Sequence, residues 1–282
     1  MSIHASNWYD EQYNNRARIP DHPAILQHWA DASAAALARH PLVEASYGTA
    51  PREKLDIFPA AAAGSPVLVY LHGGYWRALG KRDQSFIAPP FVDAGAMVAL
   101  ADYSLCPEVT VEHIVLQTVR ALMWVHRHAR EYGGDPARIV VAGHSAGGHL
   151  ATMLLACRWP EVHPALPPDL VKAALSISGI YDLEPLRHAP FLEADLGLTA
   201  ASALRLSPAF MPAPSGRLAV AVGGEESEEF LRQAALIRER WGGKVVASEI
   251  VPGCNHMDVL HELARPDSNT HQLALDLLEI RR

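Results

Sequence analysis

The chain has 282 residues, of which 49% are hydrophobic and 20% are charged, so it is long enough and apolar enough for one large core. The net charge of -7, without any basic run, argues against a nucleic-acid-binding surface. No apolar stretch approaches the roughly 18 residues of a membrane span, and the polar N-terminus does not resemble a signal peptide. We therefore expect a cytoplasmic protein with a single domain over residues 1–282, away from membranes. The sequence does not decide between a monomer and a homodimer.

The first part of the chain precedes the predicted sheet. Residues 1–40 are polar and then alanine-rich, which predicts one or two helices outside the sheet. The next two segments, VEASYGT and EKLDIFPA, alternate apolar and polar residues and are separated by a turn-like APR. This alternation predicts a pair of antiparallel strands.

Further along, several continuous apolar runs are rich in β-branched residues. They are VLVYL (67–71), AMVALADY (96–103), RIVVAGH (138–144) and LAVAVGG (218–224), with VKAALSIS (171–178) and VVASEIV (245–251) as additional candidates. Such runs are typical of strands that are buried on both faces of a parallel sheet.

Amphipathic segments separate these runs. Helices are predicted within 109–131, 228–241 and 269–280. The first has an apolar stripe formed by Val115, Leu116, Val119, Leu122, Met123 and His126. Strands alternating with helices predict an α/β fold, with a mostly parallel, doubly wound sheet and helices on both faces. The proline-rich stretch 182–216 is predicted to form a small cap-like excursion over the C-terminal edge of the sheet.

The strongest chemical signal is the segment IVVAGHSAGGHLA. Residues 143–147 fit the pattern G-x-S-x-G and lie directly between a predicted strand and an apolar helix. In this context a serine occupies a sharp turn that exposes its hydroxyl group, and the flanking glycines permit the strained backbone. Ser145 is therefore the candidate nucleophile.

A second glycine-rich turn follows the first central strand, in the sequence VYLHGGYW. Acyl transfer passes through an oxyanion, which backbone N–H groups must approach closely. We assign the oxyanion hole to the N–H groups of Gly73, Gly74 and Ala146. His72 is expected to support this loop by hydrogen bonding and not to transfer protons.

The general base is sought near the C-terminus, because the order in this architecture is serine, acid, histidine. His256 lies in a loop between a predicted strand and the last helix, and is our candidate. His261 is a rival that lies further along, in or near a helix. The sequence contains no HExxH or comparable ligand cluster, and the expected chemistry needs no metal and no cofactor.

The acid must follow a strand end. Four carboxylates follow the run at 218–224: Glu225, Glu226, Glu228 and Glu229. The last two fall in the first turn of a helix capped by Ser227, where the helix dipole explains them. Glu225 and Glu226 both lie in the loop, and spacing does not separate them. Asp182 is a rival from outside this segment.

Together, four segments resemble the kynurenine formamidase family of α/β-hydrolases. They are HGGYW with a following lysine, GHSAGGHLA, SGIYDLEPL and VGGEESEEF with a later NH, and the resemblance runs from about Tyr47 to the C-terminus. In that family the acid takes the fifth position of V-G-x-x-[DE], which here is Glu226 and not Glu225. This chain has Glu where animal members have Asp.

The resemblance also implies a substrate and a pocket. It implies a Ser-His-Glu hydrolase that converts the small molecule N-formyl-L-kynurenine to formate and L-kynurenine, with Tyr75 and Trp76 bordering an aromatic pocket. Lys81 and Arg82 either contact a substrate carboxylate or lie in a solvated loop, and we favour the loop. The alternatives are a short-acyl carboxylesterase, a hydrolase of another formamide, and a non-catalytic binding module on the same fold. The intact serine, acid and histidine argue against the last.

Overall fold

The computed structural model describes residues 6–280. Within these residues, one sheet contains eight strands: β1 (Val43–Ser46), β2 (Lys54–Phe58), β3 (Ser65–Leu71), β4 (Met97–Ala101), β5 (Gly134–His144), β6 (Val171–Ile177), β7 (Arg217–Gly223) and β8 (Val245–Val251). Their order in the sheet is β1-β2-β4-β3-β5-β6-β7-β8. β1 and β2 pair antiparallel, β2 is antiparallel to β4, and the strands from β4 to β8 along the sheet are parallel to their neighbours.

Each apolar run of the sequence overlaps one of these strands and extends beyond it by no more than two residues at either end, so the strand predictions are confirmed. Every residue of β3 and β4 is buried, because helices cover both faces of the parallel part of the sheet. The predicted antiparallel pair is confirmed as well, with Val43 of β1 opposite Ile57 of β2.

Helices cover the two faces of the sheet. The α-helices of the described chain are α1 (Ser6–Tyr13), α2 (Asn15–Arg18), α3 (His22–Arg39), α4 (Ala88–Asp93), α5 (Val111–His128), α6 (Ala146–Ala156), α7 (Trp159–Val162), α8 (Pro190–Leu196), α9 (Ala200–Arg205), α10 (Glu228–Trp241), α11 (Val259–Ala264) and α12 (Asn269–Leu278). One face of the sheet packs with α5, α6 and α10, and the other with α3, α4, α11 and α12. The predicted doubly wound arrangement is confirmed. No helix of residues 6–280 is long and apolar enough to cross a membrane.

The N-terminal part differs in detail from the expectation of one or two helices. Residues 6–39 form three helices, α1 to α3. Asn14 separates α1 from α2, and its side chain accepts a hydrogen bond from the N–H group of Ala17. Ile19 is extended because it precedes Pro20, which separates α2 from α3.

The buried face of α5 also differs from the predicted stripe. Leu116 is 52% exposed, whereas the polar Gln117 is buried. Gln117 is stabilised there because its amide exchanges two hydrogen bonds with Ser104, at 2.8 and 2.9 Å. The buried apolar residues of the helix include Val111, Ile114, Ala121 and Val125. The buried face of this helix therefore includes a polar residue, which the apolar pattern of the sequence does not predict.

The region between β6 and β7 consists of short helices. It contains α8, α9 and two turns of 3-10 helix at Glu184–His188 and Pro208–Phe210. α8 and the first of these turns pack against α1, so this region and the N-terminal helices meet beside the C-terminal ends of the parallel strands.

A charged cluster joins β1 and β2 to the loop after β3. Lys81 is buried, and its Nζ lies 2.8 Å from Asp56 Oδ1 and 3.0 Å from Glu44 Oε2. The expectation of a solvated loop is wrong for Lys81, because the fully buried Asp56 needs a cation beside it. Arg82 is the exposed member of the cluster, with a side chain that is 60% accessible.

We expect Lys81→Met to lower the free energy of unfolding by about 3 kcal/mol, because it leaves the carboxylate of Asp56 buried with weaker compensation. Arg82→Gln is the matched control, and should cost less than about 1 kcal/mol because its ion pairs are solvent-screened. Urea denaturation of both variants measures the difference. Equal losses would contradict the buried role of Lys81.

Candidate active site

The turn between β5 and α6 holds Ser145 in an unusual backbone conformation. Its φ is 57° and its ψ is −118°, a region that costs a non-glycine residue about 1–3 kcal/mol. The turn is tied to the sheet because the Ser145 N–H group donates to the carbonyl oxygen of Ile177 at 2.8 Å. The strand and the helix thereby present the Ser145 hydroxyl at the C-terminal edge of the sheet.

Two glycines make this turn possible. A Cβ atom on Gly143 would lie 2.2 Å from the carbonyl oxygen of Gly147. A Cβ atom on Gly147 would lie 2.0 Å from the carbonyl oxygen of Leu71, at the end of β3. Any side chain at either position would push the first turn of α6 away from the sheet.

Ser145, His256 and Glu226 form a continuous chain of hydrogen bonds. Nε2 of His256 lies 3.0 Å from Ser145 Oγ, and its Nδ1 lies 2.6 Å from Glu226 Oε2. The three side chains come from the ends of different strands, and all are buried. This is the geometry that a nucleophile, a general base and an orienting acid require.

The carboxylate of Glu226 is held from its other side too. Its Oε1 accepts a hydrogen bond of 2.7 Å from the Gly223 N–H group and another from the Ser178 hydroxyl. Sequence reasoning missed Ser178, which has a positive φ of 49°. Its signal was a small polar residue directly after β6, at the edge where the other site residues lie.

The remaining carboxylates of the segment after β7 have other environments. Glu225 and Glu228 are exposed. Glu229 is buried, and its Oε2 accepts a hydrogen bond of 2.6 Å from the Tyr13 hydroxyl. The helix dipole alone therefore does not account for Glu229, because this residue also attaches the N-terminal segment to α10.

The rival residues are engaged elsewhere. His261 Nε2 accepts a hydrogen bond of 2.9 Å from the Trp29 indole. Asp182 is buried, which raises the pKa of its carboxyl group, and it lies 3.6 Å from Arg232. Neither is hydrogen-bonded to Ser145 or His256.

The glycine turn after β3 lies beside Ser145. A Cβ atom on Gly73 would be 3.3 Å from Ser145 Cβ, and one on Gly74 would be 2.3 Å from the carbonyl oxygen of Ala78. In the described part of the chain, the N–H groups of Gly73, Gly74 and Ala146 donate to no protein acceptor. They are therefore free to bind an oxyanion.

His72 supports this turn from inside the protein. It is fully buried, stacks on Tyr103 with ring centroids 4.2 Å apart, and places Nε2 3.1 Å from Asp102 Oδ1. Burial favours a high pKa for Asp102, but its contacts with His72 and Arg52 hold that pKa below the usual value. The Asp102 carboxylate thus stays charged and keeps the turn in place.

A cavity of about 120 Å³ opens onto Ser145 and His256. Its other lining residues are Asn14, Asn15, Arg16, Leu26, Trp29, Gly74, Tyr75, Arg77, Ala78, Leu79, His144, Phe191 and Met257. Tyr75 therefore has a place on the cavity wall. Trp76 does not line it, because it is fully buried with its ring edge-on to His149, 5.0 Å between centroids. Among the described residues, no group of His, Cys, Asp or Glu could hold a metal ion.

The chain is similar to several known proteins. The BD-FAE family model matches residues 55–188. The chain is 32% identical over 249 residues to a kynurenine formamidase of Salmo salar, covering 84% of this chain and 82% of the relative. It is 31% identical to the Danio rerio kynurenine formamidase, with the same coverage. A crystal structure of a proposed thioesterase from Silicibacter sp. TM1040 superposes with a TM-score of 0.80 at 31% identity, covering 95% of this chain and 96% of the other.

Two histidines on either side of the serine turn are held uncharged. Burial, followed by the neighbouring His256, lowers the pKa of His144 to about 3. Burial lowers the pKa of His149 to about 4, although its Nε2 lies 2.7 Å from the carbonyl oxygen of Leu206. In the unfolded chain both would titrate near pH 6.5.

These shifts predict that acid destabilises the fold. As the pH falls from about 6.5 towards 4, the unfolded chain binds a proton at His149 that the folded chain does not, so the free energy of unfolding decreases. His149→Gln keeps a donor for Leu206 but does not titrate. Between pH 7.5 and 5 we expect the wild type to lose about 2 kcal/mol more than this variant. Urea denaturation at both pH values measures this, and equal losses would contradict an uncharged His149.

Proposed function

Because the chain belongs to the kynurenine formamidase family, we propose that it hydrolyses N-formyl-L-kynurenine to L-kynurenine and formate, with Ser145, His256 and Glu226 as the catalytic residues. The chain is an α/β-hydrolase. The observation that carries the proposal is the chain of hydrogen bonds from Glu226 through His256 to Ser145. Ser145 and His256 line a cavity that also has aromatic walls.

In the acylation step, Ser145 Oγ attacks the formyl carbon while its proton passes to His256 Nε2. The negative charge that develops on the formyl oxygen is stabilised by the N–H groups of Gly73, Gly74 and Ala146. The C–N bond then breaks, and His256 returns its proton to the departing aryl amine. Glu226 accepts the Nδ1–H hydrogen bond and stabilises the imidazolium during the transfer.

Deacylation repeats the sequence with water. His256 takes a proton from a water molecule, whose oxygen attacks the formyl ester of Ser145. The same N–H groups stabilise the second oxyanion. Collapse of this intermediate returns the proton to Ser145 Oγ and releases formate.

The walls of the cavity suit an aromatic leaving group. Trp29, Tyr75 and Phe191 contribute rings from different parts of the chain. The hydroxyl of Tyr75 donates to the carbonyl oxygen of Tyr13 at 2.6 Å, which fixes the orientation of its ring. Aromatic side chains in such walls contribute large contact areas with defined geometry.

A second candidate function is the hydrolysis of esters or thioesters. The Silicibacter neighbour, which covers nearly the whole chain, is described as a proposed thioesterase. The same serine, base and oxyanion donors can cleave such substrates, and pocket shape decides between them.

The relative rates of hydrolysis of a formamide and an ester distinguish the two functions. We expect kcat/KM for N-formyl-L-kynurenine to exceed that for p-nitrophenyl acetate, although the ester is the more reactive compound, because leaving-group contacts lower the barrier for the true substrate. Absorbance follows the release of kynurenine and of p-nitrophenol. Ser145→Ala, with its fold checked by circular dichroism, supplies the blank for both assays.

Fast cleavage of the ester with negligible turnover of the formamide would reject the formamidase proposal and favour an esterase or thioesterase. Activity of Ser145→Ala close to that of the wild type would reject the mechanism itself.

The choice of acid is tested by two matched substitutions. In Glu226→Gln, the amide oxygen should remain at the Oε1 position, because the Gly223 N–H and the Ser178 hydroxyl both donate there. The NH₂ group then faces His256 Nδ1 and forces the proton onto Nε2, where it blocks the base. We expect kcat to fall by about 10³–10⁴-fold.

Glu225→Gln removes the same charge from the neighbouring, exposed position. We expect its kcat to stay within about twofold of the wild type, since a screened surface charge has little influence. A larger loss of kcat in Glu225→Gln than in Glu226→Gln would show that the acid is Glu225 and that its assignment to Glu226 is wrong.

A further inference from the structure

One wall of the cavity contains a buried amide without a partner. Asn15 is 6% exposed and lines the cavity, and its Nδ2 has no hydrogen-bond acceptor within the described residues. Leaving a buried donor unsatisfied is costly, so such a group in a functional cavity indicates a ligand that completes it.

The next residue brings a positive charge to the same wall. Arg16 is exposed at the rim of the cavity and forms no ion pair with any residue in 6–280. Arg77 also lines the cavity, but its guanidinium donates to Asp195 and to the carbonyl oxygen of Phe191. No described acidic residue lines the cavity, so the charge of Arg16 is uncompensated there.

This wall is anchored to the body of the protein. The Tyr13 hydroxyl donates to Glu229 Oε2 and accepts a hydrogen bond of 3.1 Å from Gln233. Burial, and next the carboxylate of Glu229, hold the pKa of Tyr13 well above its usual value, so the hydroxyl keeps its proton. The hydroxyl of Tyr75, in the glycine turn after β3, donates to the carbonyl oxygen of Tyr13. The backbone just before Asn15 and Arg16 is therefore attached both to α10 and to the turn beside Ser145.

We propose that Asn15 Nδ2 and the Arg16 guanidinium bind a carboxylate on the leaving-group side of the substrate, so that the enzyme selects aryl formamides that carry a carboxylate over those that lack one. N–H donors beside an uncompensated guanidinium match the two oxygens of a carboxylate. The proposal rests on the proposed function for the position of the reaction, at Ser145. It differs from the interpretation based on Lys81 and Arg82, whose charges are bound to Glu44 and Asp56.

The test uses substrates in a two-by-two set. One pair consists of 4-(2-formamidophenyl)-4-oxobutanoate, which is N-formylkynurenine without its α-amino group and is an anion, and the neutral analogue with hydrogen in place of its carboxylate. The other pair consists of the corresponding aryl acetates, with oxygen in place of the anilide nitrogen. KM and kcat are measured for the wild type, Arg16→Gln, Asn15→Asp and the control Arg18→Gln, which changes an exposed arginine of the same helix outside the cavity.

We expect Arg16→Gln to raise KM for the anionic formamide about tenfold with little change in kcat, and to leave the neutral analogue unaffected. Asn15→Asp places a negative charge against the carboxylate and should raise the same KM further. Higher salt should reduce the preference of the wild type for the anionic substrate. Arg18→Gln should behave like the wild type.

The outcomes separate this proposal from the proposed function. Rapid formamide turnover with equal kcat/KM for the anionic and neutral members, unchanged in Arg16→Gln, would overturn the carboxylate site and leave the formamidase function standing. Turnover of the acetates alone, with an anionic preference that Arg16→Gln removes, would support the carboxylate site and reject the formamidase function. Arg16 is exposed, so its substitution carries the test even where Asn15→Asp impairs folding.

Discussion

The site depends on how closely the first turn of α6 approaches the ends of β3 and β5. That approach leaves no room for a Cβ atom at Gly143 or Gly147, and it keeps Ser145 at a positive φ. The strained turn directs the Ser145 hydroxyl towards His256 and leaves the N–H group of Ala146 without an acceptor among residues 6–280. The position of the Ser145 hydroxyl, the unpaired N–H group of Ala146 in the described chain and the start of α6 thus follow from one tight contact between backbone segments.

The carboxylate of Glu226 is the second point at which separate segments meet. It joins Ser178 after β6, Gly223 at the end of β7 and His256 after β8. A carboxylate with no accessible surface on its side chain is stable only where donors replace the lost water, and each oxygen here has at least one. The same hydrogen bonds that offset its burial also fix its orientation towards His256.

Local patterns in the sequence predicted the strands, the doubly wound order of elements and the position of Ser145, because these depend on residues close together in the chain. The choice between Glu225 and Glu226 did not follow from spacing, and required the resemblance to a family. The face of α5, the burial of Lys81 and the contacts of Ser178 were beyond such patterns. Each involves a polar partner outside the local pattern: Ser104 for Gln117 of α5, Asp56 for Lys81 and Glu226 for Ser178.

The N-terminal helices have a consequence for how relatives of this enzyme diversify. Residues 14–29 supply part of the cavity wall, yet they lie outside the sheet whose strand ends carry Ser145, Glu226 and His256. They are attached to the body of the protein by the packing of Ile25 and Trp29 in its core and, just before them, by the hydrogen bond between Tyr13 and Glu229. On the proposed function, natural selection can therefore reshape this part of the cavity wall by mutations near the start of the chain while Ser145, Glu226 and His256 stay constant.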